Sequence, residues 1–346
     1  MRALVLCGGK GLRLSPFSNY LGKPLIPVLN RPLVGYTLGR LARAGITDVA
    51  INHMGDDADL RAALGDGSAF GVKITYLREH FQHGTGGALH LLGDLWNDHT
   101  SLVVTVADMV STIDLPAMVS FHQAHGETVT FGAYRHNWAI EEWEGDVLLT
   151  APEDQSSVEE FQFRPGPLTT SRVVTTGTWV LERRVLEAVP RPGPDFAHAD
   201  NVDLNRDVFR HLTIHGHRMR AFVSDHRFFD FGDPISFVQG SVAALHGEFG
   251  SMRASEDAAQ PERIHASARI SPTAFVDEDT VVGADVVVGD RAQVRGCVLL
   301  PGARVPEGAV ISAAVMADET LTRDATRRMY ADRSAVALDT VPAPGS

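Results

Sequence analysis

The chain has 346 residues, of which 44% are apolar and 21% charged; this leaves room for roughly two domains of about 150 residues and excludes a disordered polymer. Its 31 Lys and Arg stand against 43 Asp and Glu, a formal net charge of -12. That balance argues against a general nucleic-acid or anionic-membrane surface, so any anionic ligand must be met by locally placed cations.

In chain order, residues 3–7 read as a strand running straight into glycines. Residues 33–44 read as a helix, with Val34, Leu38 and Leu41 on one face and Gly45 as its stop. Strands are expected at 48–52, 73–77 and 102–106, with a helix at 88–96 between the last two. Asp114 and Pro116 introduce a helix over 115–124, and a strand follows at 128–134. This alternation predicts an α/β, Rossmann-like domain whose sheet is mixed but mostly parallel and covered on both faces. Residues 138–181 are strand-rich and less regular. A helix at 204–212, strands at 219–223 and 228–231 and a helix at 235–246 close a first domain over 1–249, and residues 250–263 read as a linker.

Beyond the linker the period becomes six. Ile264, Ile270, Val276, Val282, Val288 and Val294 stand six apart, and after a one-residue slip Leu299, Val305 and Ile311 continue the series. Gly283 and Gly289 directly follow two of these positions. The pattern predicts a short left-handed parallel β-helix over 264–311, of under three coils at ~18 residues per coil, with its apolar residues pointing into a narrow core. Residues 312–346 are expected to supply a capping helix, near 320–337, and a tail. Cys7 and Cys297 are too far apart in sequence to make a disulfide framework, and no apolar run is long enough for a signal or a membrane span. A cytoplasmic protein is the resulting expectation.

The most informative stretch is Leu6-Cys7-Gly8-Gly9-Lys10-Gly11-Leu12-Arg13-Leu14-Ser15-Pro16, directly after the first strand. Three glycines in four residues make a tight loop whose backbone N–H groups can face an anion. The loop lacks Gly-Lys-Ser/Thr at Walker A spacing, and Gly-x-Gly-x-x-Gly fails because position 14 is Leu. A dinucleotide oxidoreductase is therefore disfavoured. Downstream, Gly22-Lys23-Pro24-Leu25-Ile26-Pro27-Val28 holds one of only three lysines in the chain, the others being Lys10 and Lys73. Its two prolines set an extended path that aims Lys23 back at the loop.

Gly-Gly-x-Gly-x-Arg-Leu-x-Pro followed by Lys-Pro-x-x-Pro-Val resembles the signature of nucleotidyltransferases that join an NTP to a sugar 1-phosphate, the nucleotide-sugar pyrophosphorylases. Three later segments extend the resemblance. His83-Gly84-Thr85-Gly86-Gly87-Ala88-Leu89 resembles the base-contacting loop, Ala107-Asp108 the Gly-Asp metal site, and Asp230-Phe231-Gly232-Asp233-Pro234 the motif Asp-x-Gly-Thr-Pro.

The resemblance implies an Mg²⁺-dependent attack of a sugar-phosphate oxygen on the α-phosphorus of an NTP, with loss of pyrophosphate. It implies catalytic roles for Arg13 and Lys23, nucleotide contacts from Leu6, Gly8, Gly9, Gly11, Gln82, Gly84, Thr85 and Gly87, and metal ligation by Asp108 and Asp230. Gly145, Arg164 and Gly177 match positions near the sugar phosphate. The residue types suit that chemistry: a planar Arg fork for the leaving pyrophosphate, a point-charge Lys for the reacting phosphates, and few hard carboxylates for Mg²⁺. The Gly-Thr-Gly-Gly form of the base loop is similar to that of mannose-1-phosphate guanylyltransferase-type members and tilts the donor to GTP.

The chain departs from the family at Leu12, Gly22 and Ala107, where Thr, Pro and Gly are usual. It also has Phe163-Arg164-Pro165 in place of Glu-Lys-Pro. Loss of that carboxylate leaves the acceptor open between mannose 1-phosphate and a less hydroxylated cyclitol 1-phosphate, such as the valienol 1-phosphate of aminocyclitol antibiotic pathways. Glucose-1-phosphate uridylyl-, adenylyl- or thymidylyltransferases are alternatives. A non-catalytic nucleotide-sugar-binding regulator is the alternative of another class, and a hexapeptide-repeat acyltransferase is disfavoured by the short solenoid. Trp143 and Trp179 read as core rather than pocket walls, and His211, His215 and His217 as solvated loop residues rather than metal ligands. A homo-oligomer is expected.

Overall fold

A computed structural model describes residues 1–9, 12–15, 17, 21–80, 83–96, 101–135, 146–151, 156–164, 173–190, 201–249, 262–318, 324, 326, 327, 329 and 330. The elements of the N-terminal α/β unit are β1 (Arg2–Leu6), the small hairpin β2 (Pro27–Val28) and β3 (Arg31–Pro32), α1 (Leu33–Arg43), β4 (Asp48–Met54), α2 (Ala58–Leu64), β5 (Lys73–Glu79), α3 (Gly84–Gly87), β6 (Ser101–Val106), β7 (Met109–Ser111), α4 (Leu115–His125) and β8 (Val129–Arg135). They continue with β9 (Val147–Thr150), β10 (Val158–Gln162), β11 (Val173–Glu182), α5 (Arg210–Ile214), β12 (Met219–Val223), β13 (Phe228–Asp230) and α6 (Pro234–Leu245).

The main sheet runs β10-β9-β11-β6-β1-β4-β5, with β8 pairing both β11 and β12. Strands β6, β1, β4 and β5 are mutually parallel, whereas β11 enters antiparallel between β6 and β8. Alternation along β1 sends Ala3 and Val5 to one core and Leu4 and Leu6 to the other, as a sheet covered on both faces requires. The first core lies under α1, α4 and α6. The second holds Trp96, Phe131, Phe161, Trp179 and Phe209. Trp179 is thus a core residue, while Trp143 lies outside the described residues.

Caps explain several boundaries. Asp114 accepts from the Ala117 amide to start α4, whose C-cap Gly126 has φ 63. Asp233 accepts from the amides of Ile235 and Ser236 to start α6, with Pro234 in its first turn. Residues 88–96, expected as one helix, instead form 3₁₀ turns broken at Gly93, whose φ of 45 and ψ of -124 no helix accommodates. The helix expected at 204–212 begins as a π turn, Leu204–Phe209, and only then becomes α5. His211 on α5 and His215, the C-cap of that helix, have stacked rings, and no group of three or more metal-ligand side chains occurs among the described residues.

The period-six segment folds into β14 (Arg269–Ile270), β15 (Phe275–Val276), β16 (Val281–Val282), β17 (Val287–Val288), β18 (Gln293–Arg295), β19 (Val298–Leu299), β20 (Arg304–Val305), β21 (Val310–Ser312) and β22 (Val315–Met316). These make three parallel sheets, β14-β17-β20, β15-β18-β21 and β16-β19-β22, the arrangement of a parallel β-helix. The repeat shortens where Leu299 follows Val294, so Arg269 pairs with Val287 but Val281 pairs with Val298. A second short step after Ile311 brings in Met316, carrying the coil beyond 311, where the apolar series was expected to end. Gly283 and Gly289 follow inward positions because a Cβ there would lie 2.6 Å from the Pro301 backbone N and 2.7 Å from that of Glu307.

The solenoid packs directly on the N-terminal α/β unit. Val281, Val298, Leu300, Met329 and Tyr330 belong to the same apolar cluster as Leu25, Val28 and Phe249. Asn30 donates to the carbonyls of Glu262 and Val282, and the buried Tyr330 hydroxyl donates to the Leu25 carbonyl at 2.7 Å. Most of the expected linker, residues 250–261, lies outside the described residues, and the described positions among 324–330 are helical. Among the described residues no helix is long and apolar enough to cross a membrane.

Candidate active site

Because β1, β4, β5 and β6 are parallel, Leu6, Asn52, Glu79 and Val106 arrive at one edge of the sheet, where open α/β sheets place ligands. A cleft there is lined by Leu6, Cys7, Gly8, Gly9, Lys23, Pro24, Asn52, Glu79, Gly84, Thr85, Val106, Ala107, Asp108, Asn201 and Asp203. The glycine loop is seated from below. Asn52 Oδ1 accepts from the Cys7 amide at 2.9 Å, and Asn52 Nδ2 donates to Glu79 Oε1. Glu79 Oε2 in turn accepts from the His83 amide at 3.2 Å. A Cβ on Gly8 would stand 2.8 Å from Glu79 Oε1, so any larger residue would have to push this side-chain pair aside.

Lys23 opens a 3₁₀ turn, Lys23–Leu25, with Pro24 setting its φ. Its side chain is only 6% exposed, and Nζ lies 2.6 Å from Asp108 Oδ2 and 3.9 Å from Asp230 Oδ1. The two carboxylates, far apart in sequence, are brought together by backbone. Strands β13 and β7 pair antiparallel with Asp230 opposite Met109, and the Phe231 amide donates to the Asp108 carbonyl at 3.2 Å. Arg13 is 67% exposed and approaches Asp230 Oδ2 at 3.6 Å. Gly232 leaves room for that approach, since a Cβ there would lie 2.8 Å from the Arg13 guanidinium.

Burial pushes the Asp230 carboxyl above the ordinary carboxylate range, opposed by the charge of Lys23. Its Oδ1 is buried with no hydrogen-bond partner. A buried, unbonded carboxylate oxygen beside a second carboxylate is a site that calls for a hard cation, so Asp108 and Asp230 fit Mg²⁺. The Cys7 thiol is pushed far up by burial and by the Asp108 charge, which keeps it protonated and unfit as a nucleophile.

The structure brings Leu6, Gly8, Gly9, Lys23, Gly84, Thr85 and Asp108 to the cleft wall, with Arg13 and Asp230 beside them. Gly87 is not on the wall: its amide and that of Gly86 donate to the Val202 carbonyl, which fastens α3 to residues 201–204. Gly84, with φ +77, is the tightest point of that junction, where a Cβ would overlap Asn201 and Val202. Gly177 lies at the β11 bulge, with φ +62, packed against Val106 and Met109. Arg164 is exposed beside Phe163, with its guanidinium 5.5 Å from the Phe163 ring. Gly11, Gln82 and Gly145, together with Lys10, lie outside the described residues.

Sequence reasoning missed Asn52, Glu79, Asp203 and Asp146. Asp203 accepts from the Thr85 hydroxyl and caps the turn at 204–209 through the amides of Asn205 and Arg206; an Asp at a helix start was its only local signal. Asp146 accepts from the Arg164 amide at 3.2 Å. Burial and the Asp203 charge raise its carboxyl to about 6, against hydrogen bonds from Arg164 and Asn205.

The nucleotidyl transferase family model matches residues 2–247, and that of the GMPPB C-terminal domain matches residues 258–327. A mannose-1-phosphate guanylyltransferase of Mycobacterium tuberculosis is 30% identical over 311 residues, covering 89% of this chain and 82% of the relative. A mannose-1-phosphate guanyltransferase of Schizosaccharomyces pombe is 28% identical over 249 residues, covering 71% of this chain and 64% of the relative. A crystal structure from Bacillus anthracis, described as a glucose-1-phosphate thymidylyltransferase in complex with a sucrose, superposes with a TM-score of 0.62 at 21% identity. It covers 70% of this chain and 95% of that one, a likeness of fold. With the first model spanning β1 through α6 and the second the solenoid, the chain belongs to the nucleotidyl transferase family.

Proposed function

We propose that the chain transfers a nucleoside monophosphate, with GMP preferred, from an NTP to a sugar 1-phosphate and releases pyrophosphate. The observation that carries this reading is the buried Lys23 held against Asp108 and Asp230 at the mouth of a glycine loop. An acceptor phosphate oxygen attacks the α-phosphorus, the bond from that phosphorus to the bridging oxygen breaks, and the electron pair leaves with pyrophosphate. Both reactants are anions, so the task is alignment and charge neutralisation rather than covalent catalysis. Gly8 and Gly9 offer backbone N–H groups to the phosphates, Lys23 supplies a desolvated positive charge, and the exposed Arg13 takes the leaving group with its planar fork. Asp108 and Asp230 would hold Mg²⁺, which when bound neutralises phosphate oxygens. Gly84 and Thr85 are the wall positions that support base contact.

GTP is favoured because both relatives carry guanylyl or guanyl transfer in their names. For the acceptor, Asp146 restores a carboxylate beside Arg164 where Phe163 removed one, which favours a hydroxylated sugar such as mannose 1-phosphate. The partly exposed Phe163 ring, at 37%, is the feature that favours a cyclitol 1-phosphate instead. Pyrophosphate release measured across four NTPs and a panel of hexose and cyclitol 1-phosphates tests both choices. GTP with mannose 1-phosphate is expected to give the highest kcat/KM; a higher value for a cyclitol phosphate moves the acceptor, and no turnover with any pair in Mg²⁺ sinks the proposal.

A further inference from the structure

Arg40, on α1, is 7% exposed, yet among the described residues its guanidinium donates to neutral oxygens alone: the Ser111 carbonyl at 3.0 Å, Thr105 Oγ1 at 3.2 Å and Thr178 Oγ1 at 3.4 Å. Among the described residues no carboxylate pairs with it. A guanidinium keeps its proton in proteins, and removing one from water costs several kcal/mol unless an opposite charge compensates. Burial, reinforced by the nearby charge of Arg43, draws its pKa down to about 10, which still leaves it charged at neutral pH.

Arg40 and Arg43 line one side of a groove of about 260 Å³, closed by Ser111, Thr112, Asp114 and Phe249. The groove shares no lining residue with the cleft around Lys23. Its carboxylate, Asp114, has Oδ1 turned to the Ala117 amide as the α4 cap. Two arginines one helical turn apart, one of them buried with no carboxylate partner among the described residues, line a space large enough for a tetrahedral oxyanion.

We propose that this groove is a second anion site, distinct from the catalytic cleft, which takes a phosphoryl-type oxyanion between Arg40 and Arg43. The charge of the two guanidinium groups, with the Arg40 N–H groups not held by Ser111, Thr105 and Thr178, suits such an anion, and occupancy supplies a counter-charge for Arg40. Ser111 ties the site to β7, the strand that pairs with β13 and so sets Asp230 beside Asp108.

Equilibrium dialysis of the full chain against radiolabelled inorganic phosphate tests this, with pyrophosphate and NTP as competitors to identify the source of the phosphoryl group. One saturable equivalent is expected in the wild type. It should persist in Lys23→Ala and weaken at least tenfold in Arg43→Gln, which should keep wild-type turnover and melting temperature. Arg40→Met should also lose the equivalent and, free of a buried charge, melt no lower than wild type in phosphate-free buffer. Absence of saturable binding, its loss in Lys23→Ala, or its retention in Arg43→Gln would each overturn the proposal; should Arg40→Met fail to fold, Arg43→Gln still decides.

Discussion

Gly8 in the cleft and Gly283 in the solenoid both stand where a side chain does not fit, but the obstacles differ in kind. At Gly8 a Cβ would meet side-chain atoms, Glu79 Oε1 at 2.8 Å and Asn52 Nδ2 at 3.0 Å, which come from two other strands. At Gly283 it would meet backbone, Pro301 N at 2.6 Å and Leu299 O at 2.8 Å, in the next coil. The cleft is assembled from side chains on separate segments around a chemical task. The solenoid is a stack of backbone ladders in which each coil buries its neighbour. Damage to the first should therefore show in turnover, and damage to the second in stability.

The sharpest test of the first half is Lys23→Ala. It leaves Asp108 and Asp230 together without the buried cation, and turnover should fall by about 10³-fold, the scale of losing one preorganised charge-stabilising group. The far-ultraviolet circular dichroism spectrum should be retained. Near-normal pyrophosphate release would break the assignment of Lys23. For the second half, Gly283→Ala forces one coil away from the next and should lower unfolding free energy by about 2 kcal/mol, read by urea titration. Turnover per folded molecule should be unchanged. Gly8→Ala is its mirror image: an activity loss of roughly tenfold with less than about 1 kcal/mol of stability, because the side chains it meets can rotate away. If the two glycine variants exchange phenotypes, the contrast between the regions is wrong.

Asp146 probes the boundary between stability and function. Its carboxyl is raised to about 6 in the fold, against about 3.9 in an unfolded chain. Wild-type stability from this group is therefore full below about pH 4 and is lost as pH rises through 6. Asp146→Asn removes that term and should gain about 2 kcal/mol over wild type at pH 7, vanishing near pH 4. Asn205, whose Oδ1 is buried without a partner, can turn to accept from the new amide. If the residue also meets the acceptor, KM for the sugar phosphate should rise in the same variant. A pH-independent stability difference would show that burial is not what shifts this carboxyl. The smallest expected effect is at the seam: Tyr330→Phe leaves the Leu25 carbonyl without its donor, at about 1 kcal/mol. Because Leu25 closes the turn that carries Lys23, kcat should fall severalfold more than stability alone explains. Unchanged kcat would separate the solenoid from catalysis.

Much of this protein was legible in residue order. The glycine loop, Lys23, Asp108 and Asp230 announced themselves by motif, and the inward valines of the solenoid by their spacing. The α1 and α4 boundaries followed from Gly45, Asp114 and Pro116. What was not legible lay in partners without a pattern. Asn52 and Glu79 look like ordinary polar strand-end residues until β4 and β5 stand side by side. Nothing around Gly87 says that its amide is committed to Val202. The break at Gly93 was missed because an isolated glycine inside an apolar helix pattern can be tolerated at modest cost.

By itself the sequence determined whatever depends on neighbours a few residues away: strand alternation, caps, the tight glycine loop and the hexapeptide rise and fall of apolarity. Those are set by backbone sterics and local hydrogen bonding, which act over one or two turns of chain. Tertiary structure alone decided which charges are buried and what they face. Lys23 meets Asp108 across 85 residues, whereas Arg40, an equally ordinary basic residue, is buried against neutral oxygens, with no carboxylate partner among the described residues. The electrostatic character of a side chain is fixed by solvent exclusion and by its partners, and both are properties of the packed molecule.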